Sequence, residues 1–159
     1  MSEGLIGVLI GGAITFLSGF FIEHRKQKKD EIKFKREKLE TLYFNYSRWE
    51  TFIGTFYTMQ VLVNEKKIDL ETLNKNIKSD EMGNIYTKTT TILNLYFVNL
   101  KDKYNTMDIA KGELIECLTV KGLKLNNPEL IQAYSSFKAA SEELKKAMSD
   151  EVQKIEKSC

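Results

Sequence analysis

The sequence predicts an all-α protein, an N-terminal transmembrane helix continuing into a long antiparallel three-helix, coiled-coil-like bundle. Three observations carry this. The stretch from Leu5 to Ile22, LIGVLIGGAITFLSGFFI, contains no charged residue. Beyond it, apolar residues recur at steps of three and four, the seam of helices packed at small crossing angles. The chain has one proline, Pro128, and 29% charged residues, a composition suited to helices.

With Gly4 the first run covers about 28 Å at ~1.5 Å per residue, close to the ~30 Å hydrocarbon core of a bilayer. Its large apolar side chains each favour insertion by roughly 0.3–0.6 kcal/mol, which outweighs Thr15, Ser18 and the glycines. A secretory signal fits less well, because Met1-Ser2-Glu3-Gly4 carries no basic residue and no small-residue cleavage site follows Ile22. A buried core helix has no need of so long an uncharged stretch.

Charge then orients the span. Residues 23–37 hold seven basic side chains, Arg25, Lys26, Lys28, Lys29, Lys33, Lys35 and Arg36, whereas the N-terminal side holds none. Basic flanks stay in the cytoplasm, so the N-terminus is expected outside and the rest of the chain inside. Arg25, Lys26, Lys28 and Lys29 are the expected topology and lipid-headgroup residues. Glu23, Asp30, Glu31 and Glu37 dilute the cluster, which argues against nucleic acid as partner.

Within the span, Gly4, Gly7, Gly11, Thr15 and Ser18 recur at steps of three and four and share one helix face. Lipid gives helices no hydrophobic reason to associate, so close approach over small residues supplies it. This stripe predicts a homo-oligomer through the membrane helix.

The expected division is an anchor over 1–22, a basic juxtamembrane helix over 23–38 and a cytoplasmic helical bundle over 39–159. No Pro or turn cluster interrupts 23–63, so the first helix is expected to leave the membrane unbroken. Leu39, Leu42, Tyr46, Trp49, Ile53 and Phe56 form its seam. Seven aromatics crowd between Tyr43 and Tyr57, and at this spacing they read as core rather than as a ligand box. Gly54 predicts a close helix contact or a kink, since glycine costs about 1 kcal/mol in a helix interior.

Asn64–Asp69 breaks the pattern. Asp69 is placed to cap a short helix from Leu70 to Ile77, with Ile68 as the hydrophobic staple. A second long helix is expected from about Met82 to Lys121, its core stripe including Ile92, Tyr96, Leu114 and Cys117. Gly122 ends it in the left-handed conformation. Asn127-Pro128 starts the last helix, with Asn as N-cap and Pro at the first helical position. Tyr134, Phe137, Leu144 and Met148 line that helix's buried face. The three long helices are expected to run up, down and up from the membrane. Thr51–Val63 and Thr89–Leu100 are uncharged but too short to span a bilayer.

The chain offers little for chemistry. His24 is the only histidine and has no cysteine nearby, so neither a zinc site nor a His-based triad can be assembled. Cys117 falls on the apolar stripe, and Cys159 ends no prenylation box. There is no P-loop or dinucleotide fingerprint. Carboxylates lie beside lysines on solvated faces. The expectation is no catalytic, cofactor or metal site, and no enzyme.

The opening SEGLIGVLIGGAITFLSGFFIE, the link RKQKKDEIKFKREKLETLY and the closing LIQAYSSFKAASEELKKAMSDEV resemble a set of small bacterial single-pass membrane proteins. That resemblance implies a bacterial or phage inner-membrane protein with its C-terminal domain in the cytoplasm, and brings no activity with it. A likeness to the b subunit of the ATP synthase stalk fails at the Trp49 aromatic cluster and at the breaks near Asn64 and Gly122. Phage spanins share the plan but project outward, against the charge rule. Two function classes follow. One is a membrane-anchored, self-associating helical scaffold that meets an unidentified protein partner. The other is an oligomeric membrane-perturbing effector, such as a toxin or phage-defence component.

Overall fold

A computed structural model describes the backbone of residues 2–77 and 79–157 and the side chains of residues 18–77 and 82–157. Among the described residues the chain is all-helical, with no strand. The helices are α1 (Ser2–Asn64), α2 (Leu70–Asn76), α3 (Ser79–Tyr96), α4 (Lys101–Thr119) and α5 (Pro128–Lys157), with a 3-10 turn at Val98–Leu100.

α1 is one unbroken helix of 63 residues, about 95 Å at ~1.5 Å per residue. Residues 18–31 are exposed along it, and Ile32 is the first described side chain to pack against the core. The bundle therefore occupies only the second half of α1. Among the described residues no helix is long and apolar enough to cross a membrane. The expected span has Leu5 to Leu17 outside the residues whose side chains are described, and so do Gly4, Gly7, Gly11 and Thr15 of the small-residue stripe. Ser18 is described and exposed.

The expected three-helix, up-down-up bundle is corrected to four helices running up, down, up and down. The second long helix is split at Phe97, whose φ of −133° and ψ of 53° take the backbone out of the helix. Phe97 N–H still closes α3 on Leu93 O, and Leu100 N–H returns to Phe97 O in the 3-10 turn. Phe97 and Leu100 are 2% and 3% exposed, so the reversal is held by two apolar side chains driven into the core. Helix directions follow from cross-contacts. Tyr96 of α3 meets Phe34, and Tyr86 meets Trp49, so α3 descends along α1. α4 climbs again, because its end at Leu118 reaches Asn64. In α5, Tyr134 stacks on Tyr57 while Glu156 reaches Arg36, so α5 runs back toward the N-terminal half of α1.

The local signals act as their chemistry requires. Asp69 accepts from Thr72 N–H at 2.7 Å and caps α2. Gly122 has a φ of +61°, and Leu123 N–H donates across it to Cys117 O, ending α4. Asn127 Oδ1 accepts from Glu129 N–H at 2.9 Å ahead of Pro128. α1 ends at a left-handed Lys66 with a φ of 59°, a conformation in which a β-carbon is disfavoured. Asn64 then latches that end, donating from Nδ2 to Leu118 O at 2.9 Å and Leu123 O at 3.0 Å.

Of the expected core positions, Leu39, Leu42, Tyr46, Trp49, Ile53, Leu114, Phe137, Leu144 and Met148 are buried. Phe56, Ile92 and Tyr134 are half-buried against the core. Tyr96 is corrected to the surface at 40% exposure, because the helix ends there and Leu93 and Phe97 take the inward positions. Gly54 marks no close contact, since a β-carbon added there would meet nothing within 4 Å.

Candidate functional site

Two arrangements stand out, a charged cluster inside the bundle and a basic, apolar-tipped end. The cluster begins with Glu50, one residue beyond Trp49 on α1, at the border of the seam facing α5. Lys138, Ser141 and Lys145 follow at steps of three and four on α5 and so line the edge of its apolar stripe. Packing α5 against α1 brings them together. Lys138 Nζ donates to Glu50 Oε1 at 2.9 Å, and Lys145 Nζ reaches Oε2 at 3.1 Å. Ser141 Oγ donates to Oε1 at 2.8 Å while accepting from the Tyr46 hydroxyl at 2.8 Å. Lys145 is also paired with Glu142.

Burial works to raise the Glu50 carboxyl, but hydrogen bonds from Lys138, Ser141 and Lys145, with the Lys145 charge, outweigh it and hold the group below its ordinary value. For Lys145, burial works to lower the ammonium, and its bonds to Glu142 and Glu50 reverse the balance and raise it. The Tyr46 hydroxyl is pushed well above the ordinary tyrosine range, chiefly by burial. The cluster is thus ionised on both sides at neutral pH. Ser141 is fully buried at 0% exposure, with its hydroxyl both donating and accepting. It ties three helix-borne groups in register and presents no reactive atom to a substrate.

A groove of about 400 Å³ runs beside the cluster along the α1–α5 seam, lined by Leu39, Glu40, Tyr43, Lys145, Met148, Ser149 and Val152. Lys145 is its one cation and is already engaged by two carboxylates, so the groove offers no surplus charge for an anionic ligand. Across the core, Trp49 is ringed by Tyr46, Tyr86 and Phe137 with centroids 5.9–6.4 Å away. Lys111 Nζ lies 5.5 Å from the Trp49 ring centroid and 5.1 Å from that of Tyr86, and it is paired with Asp108. A cation of the chain itself therefore fills that aromatic face. Among the described residues no group of three or more His, Cys, Asp or Glu side chains is placed to hold a metal ion. Cys117 is a buried free thiol whose ionisation is pushed up, first by burial.

At the other arrangement, Arg25, Lys26, Lys28 and Lys29 are exposed along the free length of α1. Further on, Lys35 pairs with Glu31, and Arg36 with Glu40 and Glu156. The fold adds what the linear order conceals. The α3–α4 reversal and the end of α5 come to this same end of the bundle, where Lys28, Glu31, Ile32, Lys35, Tyr96, Phe97, Glu151, Lys154 and Ile155 line one groove. Sequence reasoning missed both the Glu50 cluster and this convergence. The spacing of Lys138, Ser141 and Lys145 was the one signal for the first. No protein family matches the chain, and neither a curated protein nor a solved structure matches it.

Proposed function

We propose that the chain is a membrane-anchored, self-associating helical interaction protein, held by residues 1–22 with its bundle on the cytoplasmic side of a bacterial membrane. The observation that carries this reading is the continuity of α1. One uninterrupted helix contains the uncharged run, then seven basic side chains in residues 23–37, then the bundle seam. Phe20 and Phe21 are each 61% exposed and Ile22 is 68% exposed, three successive large apolar side chains whose only ring contacts among the described residues are within their own helix, Phe20 with Phe21 and His24. Such a patch on a polar rod calls for a lipid or protein environment, and the length and lack of charge of the preceding run favour lipid.

The bundle contributes rigid surface. The Glu50 ion pairs and the Trp49 aromatic cluster are directed inward, so partner recognition falls to the exposed helix faces, and the small-residue stripe supplies self-association within the membrane. Fractionation of cells expressing the full chain tests the reading. The protein is expected in the membrane pellet, resistant to alkaline carbonate, with a C-terminal fluorescent fusion active in the cytoplasm. Recovery in the supernatant without detergent, or a C-terminal reporter active only in the periplasm, overturns it.

A further inference from the structure

We infer that the base of the bundle, formed by the α3–α4 reversal, residues 28–38 of α1 and the end of α5, docks onto anionic phospholipid headgroups of the membrane that anchors the chain. This rests on the anchoring proposed above and adds a second contact, made by tertiary structure rather than by the span. The first support is charge. Residues 28–38, 94–103 and 151–157, which the fold gathers at this end, hold ten basic and six acidic side chains, whereas the whole chain is only +2. The base is therefore +4 and everything else −2, a polarity suited to a negatively charged surface at one end.

The second support is apolar exposure. Leu95 is 66% exposed, Val98 64%, Phe34 44% and Tyr96 40%, all at or beside the reversal. Phe34 and Tyr96 meet edge-on at 5.5 Å, with Lys38 Nζ over both rings. An aromatic and aliphatic tip rimmed by lysines is the composition of an interfacial anchor.

The third support is reach. The base begins level with Ile32, ten residues beyond Ile22, or about 15 Å along the helix. The headgroup layer takes up roughly 5–7 Å of that distance. The remaining gap of ~10 Å is no wider than a single helix with its side chains, so a folded partner does not fit between base and bilayer. A lean of ~20°, average for membrane helices, lowers a turn offset by ~10 Å from α1 by about 4 Å, and lysine and leucine side chains cover the rest.

The test uses the full chain with Cys159→Ser and Val98→Cys, labelled with an environment-sensitive dye and reconstituted into vesicles. Vesicles containing a quarter phosphatidylglycerol are compared with pure phosphatidylcholine, and the same label at Val120→Cys, 78% exposed on the loop after α4, serves as reference. In the anionic vesicles, lipid-borne quenchers are expected to quench the label at position 98 at least about twofold more than at 120, and the difference is expected to fall in 0.5 M salt or in phosphatidylcholine. A chain that floats with the vesicles but gives equal, water-like signals at 98 and 120 overturns the docking alone. Equal lipid contact in both vesicle types overturns the role of headgroup charge. A chain that does not float overturns the anchoring, and this inference with it.

Discussion

Glu50 on α1 and Lys145 on α5, ninety-five positions apart in the chain, meet at 3.1 Å with only 12% and 19% of their side chains exposed. Removing the acid leaves Lys145 and Lys138 without their common partner inside the α1–α5 seam. Glu50→Gln is expected to lower stability by about 2–3 kcal/mol, less than a fully buried pair because Lys138 keeps water contact. Chemical denaturation followed by Trp49 fluorescence measures it.

The same cluster sets a pH dependence. The Glu50 carboxyl is held below its ordinary value in the folded chain, so its stabilisation is complete above the unfolded value and is lost as pH falls through the folded one. Lys145 is raised, so its share is present below its unfolded value and is lost as pH rises through the folded one. Other acids are also held low, Asp69, Glu31, Glu65 and Glu143 among them, so the diagnostic quantity is the difference between wild type and Glu50→Gln. That difference is expected to shrink as pH drops below about 4.5. A gap constant down to pH 3 contradicts the ionised cluster.

Backbone strain at the end of α1 predicts a gain. Lys66 holds a φ of 59° with no glycine to relieve it, and Lys66→Gly is expected to stabilise the bundle by about 0.5–1 kcal/mol despite glycine's greater freedom when unfolded. Gly54 offers the converse case. Open space surrounds its would-be β-carbon in mid-helix, so Gly54→Ala is expected to add about 1 kcal/mol. Thermal melts of both variants check the pair, and a destabilised Gly54→Ala places an uncharted contact on that face.

The Tyr104 hydroxyl is buried beside that of Tyr86, and no hydrogen bond of good geometry reaches it among the described residues. Deleting it removes a desolvated polar atom and leaves the ring packing, so Tyr104→Phe is expected to be neutral or stabilising by about 1 kcal/mol. Tyr46→Phe is expected to do the opposite, losing about 1 kcal/mol with the bond to Ser141. Denaturation midpoints of the two variants separate these outcomes.

Self-association through the membrane helix is tested by Gly7→Leu with Gly11→Leu. Large side chains on that face are expected to abolish crosslinked oligomers while leaving the chain in the membrane. Oligomers of unchanged size rule out the small-residue stripe as the contact.

Helix content, the α2 cap at Asp69, the left-handed Gly122 and the start at Pro128 were legible from the sequence because each depends on residues within one or two turns of each other. The long uncharged run and the basic segment after it were legible for the same reason. The reversal at Phe97 was not. No Pro or Gly marks it, and it is held by burial of Phe97 and Leu100 against helices distant in the chain. From that one turn follow the fourth helix, the direction of α5 and the exposure of Tyr96. The Glu50 cluster was hidden likewise, since a carboxylate reads as solvated until another helix supplies its lysines. Local chemistry is written in neighbouring residues. Which helix each seam meets, and which charges lose their water, is decided only when remote stretches pack together and bury their apolar faces.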